Sequence, residues 1–278
     1  MKLNDIRVCV LRIEGTNCED ETYSAFKETG TNPERVHLKQ LIGACPSSMR
    51  RDLSEYDILA LPGGFSAGDY VRAGAIFAAR MKSALSSELI EFVLDEKPVI
   101  GICNGFQILV ELGMLPAFDE VMTKEPQAAL ATNASGRFEC IPTFLRHENR
   151  GKSVFTRTLP KGKTVMFPSA HAEGNLMLPT EKKEKLLDRL TEEDQIVFRY
   201  VDPSGEYGGY PWNPNGSVRN IAGICNPIGN VLGLMPHPER VFHRYTHPDW
   251  TRTKNDPNGA GDGRAVFQSV AEYVKRKF

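Results

Sequence analysis

No stretch of this chain approaches the ~18 consecutive apolar residues of a bilayer span, so no membrane helix is expected. Its opening, MKLNDIRVCVLRIEG, is interrupted by Arg7 and Arg12 before the apolar segment of a leader could form, so no signal peptide is read and cytoplasm is the expected location. Basic tracts are missing as well. With 34 Lys and Arg against 35 Asp and Glu the net charge is −1, which gives no electrostatic footprint for a nucleic acid. The six cysteines (Cys9, Cys18, Cys45, Cys103, Cys140, Cys225) include no C-x-x-C pair, and no ligand cluster suggests a metal site. In the cytoplasm they are expected as reduced thiols, five in packing and one in chemistry. No Walker-type phosphate loop occurs, so no cofactor is expected in this chain. No linker, repeat or low-complexity tract divides residues 1–278, so one domain is expected, and charged residues at 25% fit an ordinary globular chain.

What is present is an alternation of short apolar runs and amphipathic stretches. IRVCVLRI (6–13) is β-branched and closed by Gly15, which suits a buried first strand. Asn17, followed by Glu19, Asp20 and Glu21, predicts an N-cap and a helix running to Gly30. RVHLKQLI (35–42) predicts a second strand and YDILALPGG (56–64) a third. A long helix should follow over 75–96, then the strand PVIGIC and another helix. Strands alternating with helices imply βαβ units and a mostly parallel sheet. Further on, 136–149 and 163–175 read as strands and loops and 194–202 as a strand, with a surface helix over 180–190 and a closing helix over 263–278. NIAGICNPIGNVLGLMP (220–236) predicts a hairpin about Asn226-Pro227-Ile228-Gly229-Asn230.

The chemistry should sit in KPVIGICNGFQILVELG (97–113). Gly101-Ile102-Cys103-Asn104-Gly105 is a G-x-nucleophile-x-G elbow with cysteine in the serine position. The glycines leave room where strand and helix crowd the nucleophile. Cys103 would lie at a helix N-terminus, whose dipole favours thiolate, and the N–H of Asn104 could hold a developing oxyanion. A second donor could come from Gly64, after Pro62-Gly63 ends the preceding strand. A thiolate needs a base and an orienting acid. Two His-x-Glu pairs offer them, His171-Ala172-Glu173 and His237-Pro238-Glu239, and spacing does not decide between them. His37, His147, His243 and His247 lack such a partner and are expected at the surface.

PGGFSAGDYVRAG (62–74), GICNGFQ (101–107), NASGRFEC (133–140), AHAEGN (170–175) and the stretch from Tyr210 to Arg240 together resemble the class I glutamine amidotransferases. Within them the match is to the glutaminase subunits of phosphoribosylformylglycinamidine synthases, over about residues 6–242. The resemblance implies a flavodoxin-like three-layer α/β sandwich with a mostly parallel central sheet. It puts the triad on Cys103, His237 and Glu239, with oxyanion and substrate contacts from Gly64, Phe65, Asn104, Gln107, Ser135 and Phe138, and it implies no metal. It further implies L-glutamine as substrate and ammonia delivery to a large synthetase subunit that carries ATP and magnesium. A small third subunit is left open. The product would be formylglycinamidine ribonucleotide, in de novo purine synthesis. Alternatives are an amidotransferase of another pathway, a cysteine hydrolase of the same broad fold, or a glutamine-sensing scaffold. Ala67 and Ile141 depart from the family's usual aromatic and arginine, and an extended C-terminal segment begins near residue 243.

Overall fold

The computed structural model describes residues 1–252 and 256–278. The first half of the chain alternates β1 (Arg7–Arg12), α1 (Glu19–Glu28), β2 (Asn32–His37), a single turn α2 (Leu38–Leu41), β3 (Ile58–Leu61), α3 (Ala75–Leu94), β4 (Val99–Ile102) and α4 (Asn104–Leu112). After it come β5 (Ala129–Ala131), β6 (Glu139–His147), β7 (Thr164–His171), β8 (Asn175–Met177), α5 (Lys183–Glu192) and β9 (Ile196–Val201). The predicted hairpin is present as β10 (Ile221–Cys225) and β11 (Val231–Leu234), and α6 (Arg264–Lys277) closes the chain.

Nine strands form one sheet in the order β2-β1-β3-β4-β11-β10-β9-β6-β7. From β2 to β11 the pairing is parallel, as the βαβ pattern requires. Val8, Cys9, Val10 and Leu11 are all buried, so β1 presents apolar side chains to both faces, as a strand covered on both sides must. On the far side β10, β9, β6 and β7 continue as an antiparallel wing. Helices supply the outer layers: α1 packs with α6, with Phe26 edge-on to Phe267 at 5.1 Å, and α3 packs with α4. The expected α/β fold class therefore holds. Among the described residues no helix is long and apolar enough to cross a membrane.

Several local expectations fail, each for a physical reason. β2 stops at His37, because the His37 ring accepts the Lys39 N–H and Gln40 bonds back to the His37 N–H, a capping arrangement that starts α2. Cys18, not Asn17, occupies the N-cap of α1, and no side chain caps it. His147 is buried, with Nδ1 3.1 Å from the Pro160 carbonyl and its ring against Phe198, so it is no surface residue. Cys140 is exposed on β6 rather than packed.

Residues 253–255 of the expected C-terminal extension lie outside the described residues. Its remainder forms short turns at Arg244–Thr246 and Trp250–Arg252, pairs His243 with Ala260, and returns against the 238–241 turn before α6. There Asp262 accepts the Met166 N–H at 2.8 Å, tying the extension to β7.

Candidate active site

β3, β4 and β11 end side by side, with Leu61 opposite Gly101 and Ile102 opposite Leu234. The segments leaving these strands therefore converge on one edge, where ligands of open α/β sheets bind. Past β4 the chain turns at once into α4. Cys103 takes φ 52°, ψ −106°, a left-handed strain that turns its side chain out of the sheet. The flanking glycines are a steric requirement: a Cβ on Gly105 would lie 1.9 Å from the Leu61 oxygen, and one on Gly101 2.4 Å from the Gly105 oxygen.

His237 follows β11 and is anchored by its own N–H to the Pro168 carbonyl at 2.8 Å. Its Nδ1 meets Glu239 Oε1 at 2.5 Å, both side chains being buried. Burial alone would drive the imidazole toward its neutral form. The charge of Glu239, joined by Cys103 and Cys18, outweighs it and holds the His237 pKa well above the ordinary value. The ring comes so near the elbow that a Cβ on Gly63 would sit 2.7 Å from His237 Cε1 and 3.4 Å from Cys103 Cβ. The second pair behaves differently. His171 ends β7 and is buried without a carboxylate on its ring, and Glu173 Oε2 accepts the Ala73 N–H instead.

Two donors face this edge. Among the described residues neither the Gly64 nor the Asn104 N–H has an acceptor, whereas the Phe65 N–H is spent on the Gly15 oxygen. Gly64 has φ 140° and its Cβ would fall 2.5 Å from the Asn17 nitrogen, so only glycine fits. A cavity of about 40 Å³ lies beside Gly64 and Cys103, lined also by Phe65, Asp69, Gln107 and His171, among others, but not by Asn104. Gln107 donates to the Glu173 carbonyl at 2.6 Å and accepts from Asn104 at 3.0 Å, which holds that wall in place. Phe65 and Phe138 form the rim, both half-exposed with rings 6.2 Å apart. Ser135 lies outside this cavity and lines a neighbouring cleft of about 470 Å³ with Arg137 and Tyr210.

A sequence model of the CobB/CobQ-like glutamine amidotransferase domain matches residues 5–274. The chain belongs to that family. This amidotransferase is 52% identical to the phosphoribosylformylglycinamidine synthase subunit PurQ of Archaeoglobus fulgidus, over 99% of this chain and 100% of the relative. It is 44% identical to the subunit of the same name from Picrophilus torridus, over 95% and 98%. Among solved structures, a chain of PurLQS from Thermotoga maritima superposes with a TM-score of 0.70 at 32% identity, covering 97% of this chain and 99% of that one. The glutaminase domain of Trypanosoma brucei CTPS, at 15% identity and TM-score 0.53, shares the fold.

Several groups around the amidotransferase cavity were not read from sequence. Asp69 reaches it because Ala67, Asp69 and Val71 all take left-handed φ in the loop after Phe65. Burial first, then the nearby charge of Glu173, pushes the Asp69 carboxyl up to about 6, and its Oδ1 is buried without a partner among the described residues. Cys18 lies behind His237, and Arg240 Nη2 donates to its Sγ at 3.1 Å. Cys18, His237 and Glu239 offer ligand atoms within 4.8 Å of one another. Glu239, however, is committed to Nδ1, on the ring edge away from Nε2, so it orients the imidazole rather than sharing an ion through Nε2. Nothing in the sequence singled out Cys18, and Asp69 stood only inside the run PGGFSAGDYVRAG, with no role of its own.

Proposed function

We propose that this chain is the glutaminase subunit of phosphoribosylformylglycinamidine synthase, acting in the cytoplasm as one amidotransferase domain over 1–278. The observation that carries the reading is the buried His237–Glu239 pair beside an elbow cysteine, with the Gly64 and Asn104 N–H groups left without acceptors among the described residues. Cys103 sulfur attacks the side-chain carboxamide carbon of L-glutamine. The Gly64 and Asn104 N–H groups take up the oxyanion, each worth about 3 kcal/mol in such sites. His237 donates a proton to the nitrogen as the C–N bond breaks, and ammonia departs from the γ-glutamyl thioester. Water gives its proton back to His237 as it attacks the thioester, releasing glutamate and the Cys103 thiol. Glu239 holds the ring in one tautomer and stabilises the imidazolium.

Ammonia then passes to a synthetase partner that holds ATP and magnesium and aminates formylglycinamide ribonucleotide. The strong likeness to relatives named as subunits of that synthase, over nearly their whole length, supports this assignment. A small third subunit accords with the name PurLQS borne by the Thermotoga maritima protein. A glutamine-analogue electrophile tests the reading: Cys103 alone is expected to gain the adduct mass, with glutamine protecting it. Labelling that ignores glutamine, or that falls on Cys18, counts against it.

Asp69 and Glu173 supply the anionic wall that a substrate α-ammonium requires. With its carboxyl at about 6, Asp69 is ionised at pH 8 and half protonated near pH 6. The KM for glutamine is therefore expected to rise as pH falls through 6. Asp69→Asn should have a raised KM at all pH values and lose that inflection. Its folded pKa lies above the ordinary 3.8, so its stabilising contribution is complete below 3.8 and is lost as pH rises through 6. Asn at this position should thus stabilise the fold at pH 8, by about 1 kcal/mol once partial exposure is discounted. Steady-state kinetics and urea denaturation of the same variant read both effects.

A further inference from the structure

His171 has no part in the triad, yet its ring forms part of the wall around Cys103. Its hydrogen bonding determines which nitrogen carries the proton. Asn133 Nδ2 donates to the Arg137 and His171 carbonyls, both at 2.8 Å, which leaves Asn133 Oδ1 as the accepting side. That oxygen receives the Gly174 N–H at 3.1 Å and stands 3.2 Å from His171 Nδ1. Nδ1 must therefore be the protonated nitrogen, and Nε2 presents a bare lone pair. The residue is 3% exposed, and Nε2 is buried with no partner among the described residues. A Cβ on Gly174 would lie 2.6 Å from both Cε1 and Nδ1, so the imidazole is held against the backbone on that edge and faces one way. Burial, and then the neighbouring His237 charge, pull its pKa down to about 4, so it stays an acceptor at every pH where the enzyme works.

A buried acceptor left empty costs free energy, which a donor from the substrate would recover. Glutamine and glutamate differ at one place: the first ends in two N–H donors, whereas the second ends in a carboxylate with none. His171 lines the same small cavity as Cys103, the atom that must meet the carboxamide being its sulfur, and the Ala170 carbonyl one residue before His171 lies 3.6 Å from Cys103 Sγ. We propose that His171 Nε2 accepts an N–H of the glutamine carboxamide, positioning it for attack by Cys103 and excluding glutamate by lone-pair repulsion. This inference rests on the glutaminase reading above. It makes His171 a specificity-determining residue that Asn133 holds in the required tautomer.

The test compares the KM for glutamine with the inhibition constant of glutamate, on the chain bound to its synthetase partner. In the parent, glutamate should inhibit weakly. His171→Phe keeps a flat ring and removes the lone pair, and His171→Gln places an amide, with a donor that a carboxylate can use. Both are expected to lower the ratio of glutamate Ki to glutamine KM by about tenfold or more. Gln should recover part of the glutamine KM through its carbonyl oxygen. A ratio within twofold of the parent in whichever variant folds overturns the proposal, since a purely structural histidine would alter stability and leave the ratio alone. The parent is labelled in parallel with the glutamine-analogue electrophile. If Cys103 is labelled and the ratio is unmoved, only the role of His171 falls; if Cys103 is not labelled, the glutaminase reading itself fails.

Discussion

Cys103→Ala is expected to abolish glutamine-dependent synthesis by the complex, by 10⁴-fold or more on the scale of triad nucleophile removals, while activity with added ammonium salt persists. The separation follows from where the chemistry sits. Cys103 forms the only bond to the substrate's carbonyl carbon, whereas amination takes place on the partner. The substitution should fold, because alanine fills less space than cysteine at a 5% exposed site whose strained φ of 52° is imposed by its neighbours. Parallel assays with glutamine and with ammonium on one preparation measure it. Loss of both activities would mean that this chain does more for the partner than feed it.

Glu239→Gln should cost about 10²–10⁴-fold in kcat, with KM for glutamine little altered. The amide nearly preserves shape but removes the charge that counters burial at His237. In the variant, burial dominates, and the imidazole should become neutral across the working range. The stability record should change too. In the parent the raised His237 pKa contributes stability that is complete below about 6.5 and is lost as pH climbs through its folded value. The variant should therefore show a thermal midpoint less dependent on alkaline pH. Titrating the His237 imidazole by NMR in both proteins checks the cause directly, and an unchanged imidazole pKa would refute it.

Cys103 was legible because its elbow is written locally, in five consecutive residues whose spacing only a crowded strand–helix turn demands. The parallel half of the sheet was legible for a similar reason, since βαβ alternation leaves a periodic trace. His237 and His171 could not be separated by spacing, because the distinction is three-dimensional: β11 pairs directly with β4, whereas β7 lies at the far edge of the wing and reaches the cavity only with its last two residues, Ala170 and His171. The resemblance to the family chose His237, and the contact with Glu239 accords with that choice. His147 misled because the lack of a His-x-Glu partner says nothing about burial, and only the fold reveals the Pro160 carbonyl beside it. The role of Asp69, inside a run that carried the resemblance, was hidden for a different reason. Its place in the wall depends on three left-handed backbone angles at non-glycine residues, which propensity argues against. Ala67 takes one of those angles, and nothing in the structure explains the loss of the usual aromatic side chain there.

The void beside Cys103 has room for a few waters and no more, far below the ~300–1,000 Å³ of a typical ligand pocket. An amino acid is larger than that, so the wall around Cys103 must give way before glutamine fits. Tyr70 and Val71 are the most exposed apolar residues of the Phe65 to Val71 segment that borders it.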